Sequence, residues 1–281
     1  MEDLIINFTP TGMIPTKAKN PYVPISVNEI VEEVHEAYEL GITMVHLHAR
    51  DEESGAPTYR KEIYGRILEG LRRHCPELVM GVSLSGRSVS SVEKRSEVLQ
   101  LLPDMGSLTL SSLNFPGQAS INSPETIVEL IARMTRYGVK PELEVFDLGM
   151  INYARYLIRK DLLKAPFYFN IILGNIAGLQ LDFLHLGNAI RDLPKGSLWA
   201  AGGIGKAQLG ANNLAIAMGG GVRVGLEDNI YFDKAKKKRA SNKDLLLRIY
   251  ELAEMHERKI MKASELGRAG FYNSQYKRNF T

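Results

Sequence analysis

The sequence of 281 residues contains a single cysteine, Cys75. No internal disulfide can form, so the class of disulfide-stabilised secreted scaffolds is excluded, as is a zinc site built from several cysteines. No apolar run is long enough to cross a bilayer, and the acidic start at residues 1–3 does not resemble the basic start of a signal peptide. These features predict a cytoplasmic protein and argue against secretion and membrane insertion.

The chain also has little charge imbalance. It carries 35 Lys and Arg against 32 Asp and Glu, a formal net charge of +3. This excess is too small to indicate a nucleic-acid-binding surface. One basic run, Lys234–Arg239, has no interleaved aromatic residues and is by itself typical of a solvated loop. We therefore predict no nucleic-acid partner.

Short apolar runs that alternate with helical segments are present along the whole chain. Their number, about eight, is the number that a closed barrel requires, and barrels of this length commonly form one domain. The sequence therefore predicts a single α/β domain, residues 1–281, with the fold of a (β/α)₈ TIM barrel. The predicted strands are Leu4–Phe8, Met44–His48, Val79–Leu84, Leu108–Ser111, Glu142–Phe146, Tyr168–Leu173, Leu198–Ala201 and Val222–Val224.

Helix start signals support this alternation. Ser26 and Glu29 form a capping-box pattern before a helix that Gly41 ends. Ser123 with Pro124 opens a second helix, and a Ser241 cap precedes a third, predicted over Leu245–Ile260.

An open doubly wound sheet is the competing architecture, since strand–helix alternation alone does not separate the two folds. Such a sheet that binds a dinucleotide carries Gly-x-Gly-x-x-Gly after its first strand, whereas here Gly203-Ile204-Gly205 comes late and lacks the third glycine. Polar residues follow nearly all the predicted strands, as expected when the strand ends surround one central site. This distribution favours the barrel.

Two histidines at the end of the second predicted strand are candidate metal ligands. A strand has a period of two, so His46 and His48 point the same way. Glu227 follows the last predicted strand, and barrel closure places the second and eighth strands on either side of the first. Two imidazoles and a carboxylate suit zinc with one position left open, although hydrogen bonds to the backbone would also satisfy histidines at a strand end. Such sites also bind iron, cobalt, nickel or manganese.

Four motifs along the chain resemble those of the β-keto acid cleavage enzyme family, whose founding activity is 3-keto-5-aminohexanoate cleavage. They are Pro10-Thr11-Gly12, His46-Leu47-His48-Ala49-Arg50-Asp51, Pro141-Glu142-Leu143-Glu144-Val145-Phe146-Asp147 and Arg223-Val224-Gly225-Leu226-Glu227-Asp228-Asn229. The resemblance covers essentially the whole chain with the motifs in order. It implies a zinc-dependent barrel, usually a homotetramer, that converts a β-keto acid and acetyl-CoA into acetoacetate and an acyl-CoA, and a role such as amino-acid degradation.

The resemblance also assigns catalytic residues. Arg223 is expected in the active site, where with zinc it would hold the negative charge that develops on a substrate oxygen. A buried ion pair with Glu144 or Asp228 is the alternative role for this arginine. Asp228 would transfer the proton, and Glu144 could tune the pKa of Asp228. Asp228 could instead cap the following segment.

The third-strand segment, residues 81–87, departs from the family pattern. Many relatives have Ser/Thr-Thr-Gly-Gly there, so either Ser83 or Ser85 could take the hydroxyl role, and Arg87 replaces a glycine. Met13 lies where an amine-recognising relative has an acidic residue. We therefore expect an apolar or anionic side chain on the keto acid. Thr11, in the first motif, and Ser111, at a predicted strand end, are further candidate substrate-binding residues.

Two basic segments complete the predictions. Lys236, Lys237 and Lys238 follow the last strand on the catalytic face, where they could attract the phosphates of coenzyme A. The basic and aromatic C-terminal tail, residues 271–281, is expected to pack on a neighbouring subunit.

Two other functions stay open at this point. A metal-dependent aldolase or hydrolase would use the same histidines and glutamate without coenzyme A. A non-catalytic metabolite-binding barrel would retain zinc without turnover.

Overall fold

A closed barrel of eight parallel strands forms the centre of the computed structural model, which describes residues 3–278. Each strand pairs with its neighbours in chain order, and β1 closes the barrel against β8 with Ile6 opposite Val222. This confirms the predicted TIM-barrel fold. The strands are β1 (Ile6–Phe8), β2 (Met44–Leu47), β3 (Val79–Val82), β4 (Met105–Thr109), β5 (Lys140–Val145), β6 (Tyr168–Leu173), β7 (Leu198–Gly203) and β8 (Gly221–Val224).

Within residues 3–278, one helix follows each strand, and a ninth comes near the end of this range. Ser26 and Glu29 form the predicted capping box, and Ser123 caps the helix that begins at Pro124. A short 3₁₀ helix, Glu97–Leu101, continues the third helix. The helices are α1 (Val27–Leu40), α2 (Lys61–His74), α3 (Val92–Ser96), α4 (Pro124–Arg136), α5 (Leu148–Arg159), α6 (Phe183–Asp192), α7 (Gln208–Ala217), α8 (Asn242–Met255) and α9 (Ala263–Leu266).

Most element boundaries differ from the sequence prediction by one or two residues, and strand β4 and helix α8 differ most. Strand β4 begins at Met105, three residues before the predicted run, because a strand can include Gly106 and Ser107 although neither residue is apolar. Helix α8 ends at Met255 rather than Ile260. Glu257 has a left-handed φ of 53°, and Ile260 then pairs with Leu4 as an isolated bridge, so the chain has left the helix by that point.

The apolar core has two layers. One lies between the barrel and the surrounding helices, and a second fills the barrel interior near the amino ends of the strands. Leu266 and Phe271, from the C-terminal segment, close this inner layer from below. Its other fully or almost fully buried members are Ile5, Met44, Val79, Met105, Tyr168 and Ala200. Because this end of the barrel is filled with side chains, a ligand site inside the barrel must lie at the carboxyl ends of the strands.

The described part of the C-terminal tail packs against the chain's own barrel. Phe271 is fully buried, the Tyr272 hydroxyl donates to the carbonyl of Glu77 at 2.6 Å, and the Asn273 amide donates to Asp104 at 2.9 Å. This segment is therefore part of the subunit's own fold. Residues 279–281 of the predicted tail lie outside the described residues, and the predicted contact with a neighbouring subunit stays a prediction.

Two small hairpins stand on the carboxyl end of the barrel. Ala49–Arg50 pairs with Pro57–Thr58, and Leu113–Phe115 pairs with Gln118–Ser120. Each comes after a barrel strand and before the next helix, so both lie at the carboxyl end of the barrel. Within residues 3–278, no helix has the length and apolarity needed to span a membrane.

Candidate active site

The two histidines of β2 meet inside the barrel. Alternation along the strand directs both side chains inward, and both residues are buried. Nε2 of His46 lies 3.1 Å from Nε2 of His48. Two ring nitrogens this close to each other face a common point.

Glu227 completes a three-residue cluster at that point. Its Oε1 lies 3.1 Å from Nε2 of His48, and its Oε2 lies 3.9 Å from Nε2 of His46. The three ligand atoms lie within 4.8 Å of one another. Neighbouring ligands of a tetrahedral zinc ion with bonds of about 2.0–2.1 Å are separated by about 3.3 Å. The buried Oε2 has no hydrogen-bond partner among the described residues, so the donor set and its spacing fit a zinc ion.

Close packing with the loop after β1 fixes Glu227. A Cβ on Gly12, whose φ is +68°, would come within 2.5 Å of Cγ of Glu227, so only glycine fits there. The buried guanidinium of Arg50 donates to the carbonyls of Gly12 and Pro15 at 2.7 and 2.9 Å. Arg50 of the histidine motif therefore positions the loop against which the glutamate packs.

Glu142 orients the first histidine and was not singled out as a site residue from the sequence. Its Oε2 accepts a hydrogen bond from Nδ1 of His46 at 2.8 Å, and its Oε1 accepts from the amides of Asn7 and Asn170. Burial lowers the pKa of His46, but the negative charges of Glu142 and Glu227 outweigh it and raise this pKa to about 9. Glu142 therefore fixes the ring and makes it a more basic ligand. The alternation that pairs the histidines also places Glu142 beside Glu144, and this signal could have revealed it.

We expect the Glu142→Gln variant to bind zinc about 10- to 100-fold more weakly than wild type. A carboxamide has one acceptor oxygen, so its NH₂ group would face either Nδ1–H of His46 or the asparagine amides, which are also donors. Competition with a chromophoric chelator measures the affinity. Glu129→Gln, an exposed control on α4, should match wild type, and equal affinity for both variants would contradict this role.

Arg223 joins the metal-ligand cluster to two further carboxylates. Its Nε lies 2.8 Å from Asp228, its Nη2 lies 2.8 Å from Glu227, and its Nη1 lies 3.6 Å from Glu144. Burial lowers the pKa of Arg223, but the surrounding carboxylates raise it well above its usual value. Burial raises the pKa of both Asp228 and Glu144. Nη1 is buried without a hydrogen-bond partner among the described residues, so this donor is available to a ligand.

A cavity of about 350 Å³ opens above these groups. Ser83, Ser85 and Thr109 supply hydroxyls to its wall, and the Thr109 hydroxyl donates to Glu144 at 2.7 Å. The remaining wall is largely apolar. The apolar lining residues are Met13, Ile14, Pro15, Phe115, Pro116, Phe146, Ile172, Ile204 and Ile230.

Most of the predicted site residues line this cavity. The predicted residues that do so are His46, His48, Ser83, Ser85, Arg87, Glu144, Arg223, Glu227, Asp228 and Lys236. Thr11, Ser111, Lys237 and Lys238 do not. The Thr11 hydroxyl donates to the carbonyl of Pro24, and the Ser111 hydroxyl donates to that of Ser112. Thr109, which no sequence motif indicates, is the residue of β4 that reaches the cavity.

The fold and the site together define a class: a (β/α)₈ barrel with an inward-facing His-His-Glu ligand set and a buried arginine at the carboxyl ends of its strands. The sequence model of the beta-keto acid cleavage enzyme family matches residues 3–269. The chain belongs to this family of enzymes, and the predicted resemblance is confirmed.

Two similar proteins have named activities. The 3-keto-5-aminohexanoate cleavage enzyme of Fusobacterium nucleatum is 37% identical over 267 residues, which cover 94% of this chain and 96% of that one. The 3-oxoadipate:acetyl-CoA acetyltransferase of Cupriavidus necator is 35% identical over 93% of this chain and 92% of that protein.

Among solved structures, apo ObcA superimposes with a TM-score of 0.79 at 21% identity. The match covers 90% of this chain and 66% of the ObcA chain. At this identity, the similarity establishes the fold alone.

Proposed function

We propose that this protein is a zinc-dependent acyltransferase that converts a β-keto acid and acetyl-CoA into acetoacetate and the acyl-CoA of the remaining fragment. The observation that carries the proposal is Nη1 of Arg223, which donates no hydrogen bond within the described residues and lies in one cavity with Asp228 and the His-His-Glu ligand set. Relatives named for keto-acid cleavage and for acetyl-CoA-dependent transfer support it.

His46, His48 and Glu227 would hold the zinc, which when bound would polarise the keto group of the substrate. Arg223 provides a fixed positive charge, and its Nη1–H, which donates no hydrogen bond within residues 3–278, can donate one to a substrate oxygen as negative charge develops there. Thr109 and Ser83 line the same cavity and can orient the substrate carboxylate.

Asp228 is the base in this proposal. It removes a proton from the carbon between the keto group and the carboxylate, and that carbon bonds to the acetyl carbonyl as the CoA thiolate leaves. The thiolate then adds to the original ketone, and the bond between that ketone and the central carbon breaks. The fragments are an acyl-CoA and acetoacetate, and Asp228 returns the proton to the central carbon. Its raised pKa suits a group that both accepts and donates a proton.

A panel of β-keto acids tests the reaction. Metal-replete protein should form acetoacetate only when acetyl-CoA is present. Cleavage of a keto acid without acetyl-CoA would replace this proposal with the aldolase or hydrolase function. If the zinc-bound protein cleaves none of the keto acids tested, a non-catalytic barrel is favoured.

The basic segment after β8 is proposed to receive the phosphates of coenzyme A. Lys236 lines the cavity rim, and Lys238 lies 3.8 Å from Asp244. Replacing Lys236, Lys237 and Lys238 by glutamine should raise KM for acetyl-CoA about five- to tenfold at low salt, and high salt should shrink the difference by screening these exposed charges.

A matched control removes three lysines at the opposite end of the barrel. Lys160, Lys164 and Lys195 are exposed and lie in or beside loops that lead into strands. Their replacement by glutamine gives the same change in net charge. If both triple variants raise KM equally, overall charge and not the segment attracts coenzyme A.

We also propose a homotetramer, and the exposed apolar start of α6 supports it. Phe183 and Leu184 are 73% and 74% exposed, and Ile176 nearby is 66% exposed. Clustered exposed side chains of this size commonly mark an interface. Replacing Phe183 and Leu184 by aspartate should reduce the mass in solution measured by light scattering, whereas Met255→Asp, at an exposed site on α8, should not. An unchanged mass of the double variant would reject this interface.

A cytoplasmic location and a role in amino-acid degradation stay predictions. The lone thiol of Cys75, which is buried, is consistent with a reducing compartment.

A further inference from the structure

Arg87 differs from the other buried or half-buried arginines around the barrel mouth. Arg50 donates to three carbonyls, and Arg95 donates to Leu84, Ile121 and Asn122. Arg87 lines the cavity, yet its guanidinium donates no hydrogen bond and forms no ion pair within residues 3–278. Its donors are therefore free for a ligand.

The ring of Phe115 lies against this guanidinium. Cζ of Arg87 lies 3.3 Å from the ring centroid, which is a close stacking contact. The backbone amide of Arg87 donates to the hydroxyl of Ser85, which holds the start of the side chain. Stacking through its face leaves the N–H groups on the edge of a guanidinium exposed, and this edge matches a carboxylate in a two-point contact.

The charges of the cavity favour an anionic substrate end. Glu144, Glu227 and Asp228 are the acidic residues that line it, and Arg223 contacts all three on the floor. The side wall is apolar, with Met13 and Phe115 among its members. An ammonium group at the far end of a substrate would find no further carboxylate on the described wall, whereas an alkyl chain that ends in a carboxylate would find Arg87.

We propose that the natural substrate is a β-keto dicarboxylic acid and that Arg87 binds the carboxylate remote from the keto group. This inference rests on the proposed function, which assigns the keto group and the first carboxylate to the floor of the cavity. Arg87 is thus a specificity-determining residue.

The test compares two acids of equal length, the six-carbon β-keto diacid and the six-carbon β-keto monoacid. Wild type should prefer the diacid in kcat/KM by about tenfold or more, the effect expected of a charged hydrogen-bonded pair. Arg87→Met should lower kcat/KM for the diacid by about tenfold or more. The same variant should change kcat/KM for the monoacid by less than about threefold. Lys19→Met, which removes an exposed positive charge at the rim, should keep the wild-type preference.

Binding of each acid without acetyl-CoA, measured by calorimetry, separates this inference from the proposed function. If diacid binding depends on Arg87 but acetyl-CoA causes no cleavage, the inference stands and the proposed reaction fails. If wild type cleaves monoacids and shows no preference for the diacid, the reaction stands and the inference fails. If Arg87→Met weakens the binding of both acids equally, the guanidinium contacts the carboxylate that the two acids have in common. This result would also overturn the inference.

Discussion

The His46→Ala variant should bind zinc more than about a hundredfold more weakly than wild type and lose keto-acid cleavage. Removal of a direct ligand should exceed the 10- to 100-fold effect typical of losing the group that orients a ligand. The His46→Ala variant would keep only Glu227 and His48 of the three proposed protein ligands. It would also leave Glu142 buried without its imidazole partner, so some loss of folding stability accompanies the loss of metal.

Metal content after dialysis and chelator competition measure the first effect, and circular dichroism confirms that the variant is folded at the assay temperature. His35→Ala is the matched control, because the side chain of His35 is 43% exposed on α1. Zinc binding by folded His46→Ala at wild-type affinity would show that the ligand set is misassigned.

Replacement of Asp228 by asparagine should lower kcat about 10²- to 10⁴-fold, the usual contribution of a positioned base. Asparagine keeps an oxygen that can accept the Nε–H of Arg223, so the shape of the site is preserved. Asp228 is not in the ligand set, so the zinc content should equal that of wild type. KM for both substrates should change only a few-fold.

Proton transfer can be observed separately from cleavage. In deuterated buffer without acetyl-CoA, wild type should exchange the hydrogens between the two carbonyls of the keto acid faster than buffer does, and Asp228→Asn should not. Asp161→Asn, at a site whose side chain is 84% exposed, controls for the loss of a negative charge. Exchange at the wild-type rate in Asp228→Asn would assign the base to another group.

The barrel was predictable because its strands are short apolar runs separated by capped helices. Ser26 and Ser123 mark helix starts through hydrogen bonds within one turn, so local sequence contains the signal. The end of α8 was not predictable in this way. Ile260 leaves the helical pattern because it pairs with Leu4, more than 250 positions away in the chain.

The same distinction between local and long-range contacts applies to the candidate active site. His46 and His48 are two residues apart on one strand, so their shared direction follows from local geometry. Alternation with Glu144 indicates that Glu142 also faces the barrel interior, but it does not identify His46, 96 positions away, as its partner. Thr109, and not the predicted Ser111, lines the cavity. The reason is that β4 ends at Thr109 and the chain then turns into the hairpin that begins at Leu113.

The most direct test of the proposed reaction is the fate of the acetyl group. Acetyl-CoA labelled with ¹³C at both acetyl carbons is incubated with the protein and a β-keto acid that it cleaves, and the products are analysed by NMR. The proposed transfer places both labelled carbons in acetoacetate, as its keto and methyl carbons, and leaves the new acyl-CoA unlabelled. Cleavage of the keto acid with the label still in acetyl-CoA would contradict it.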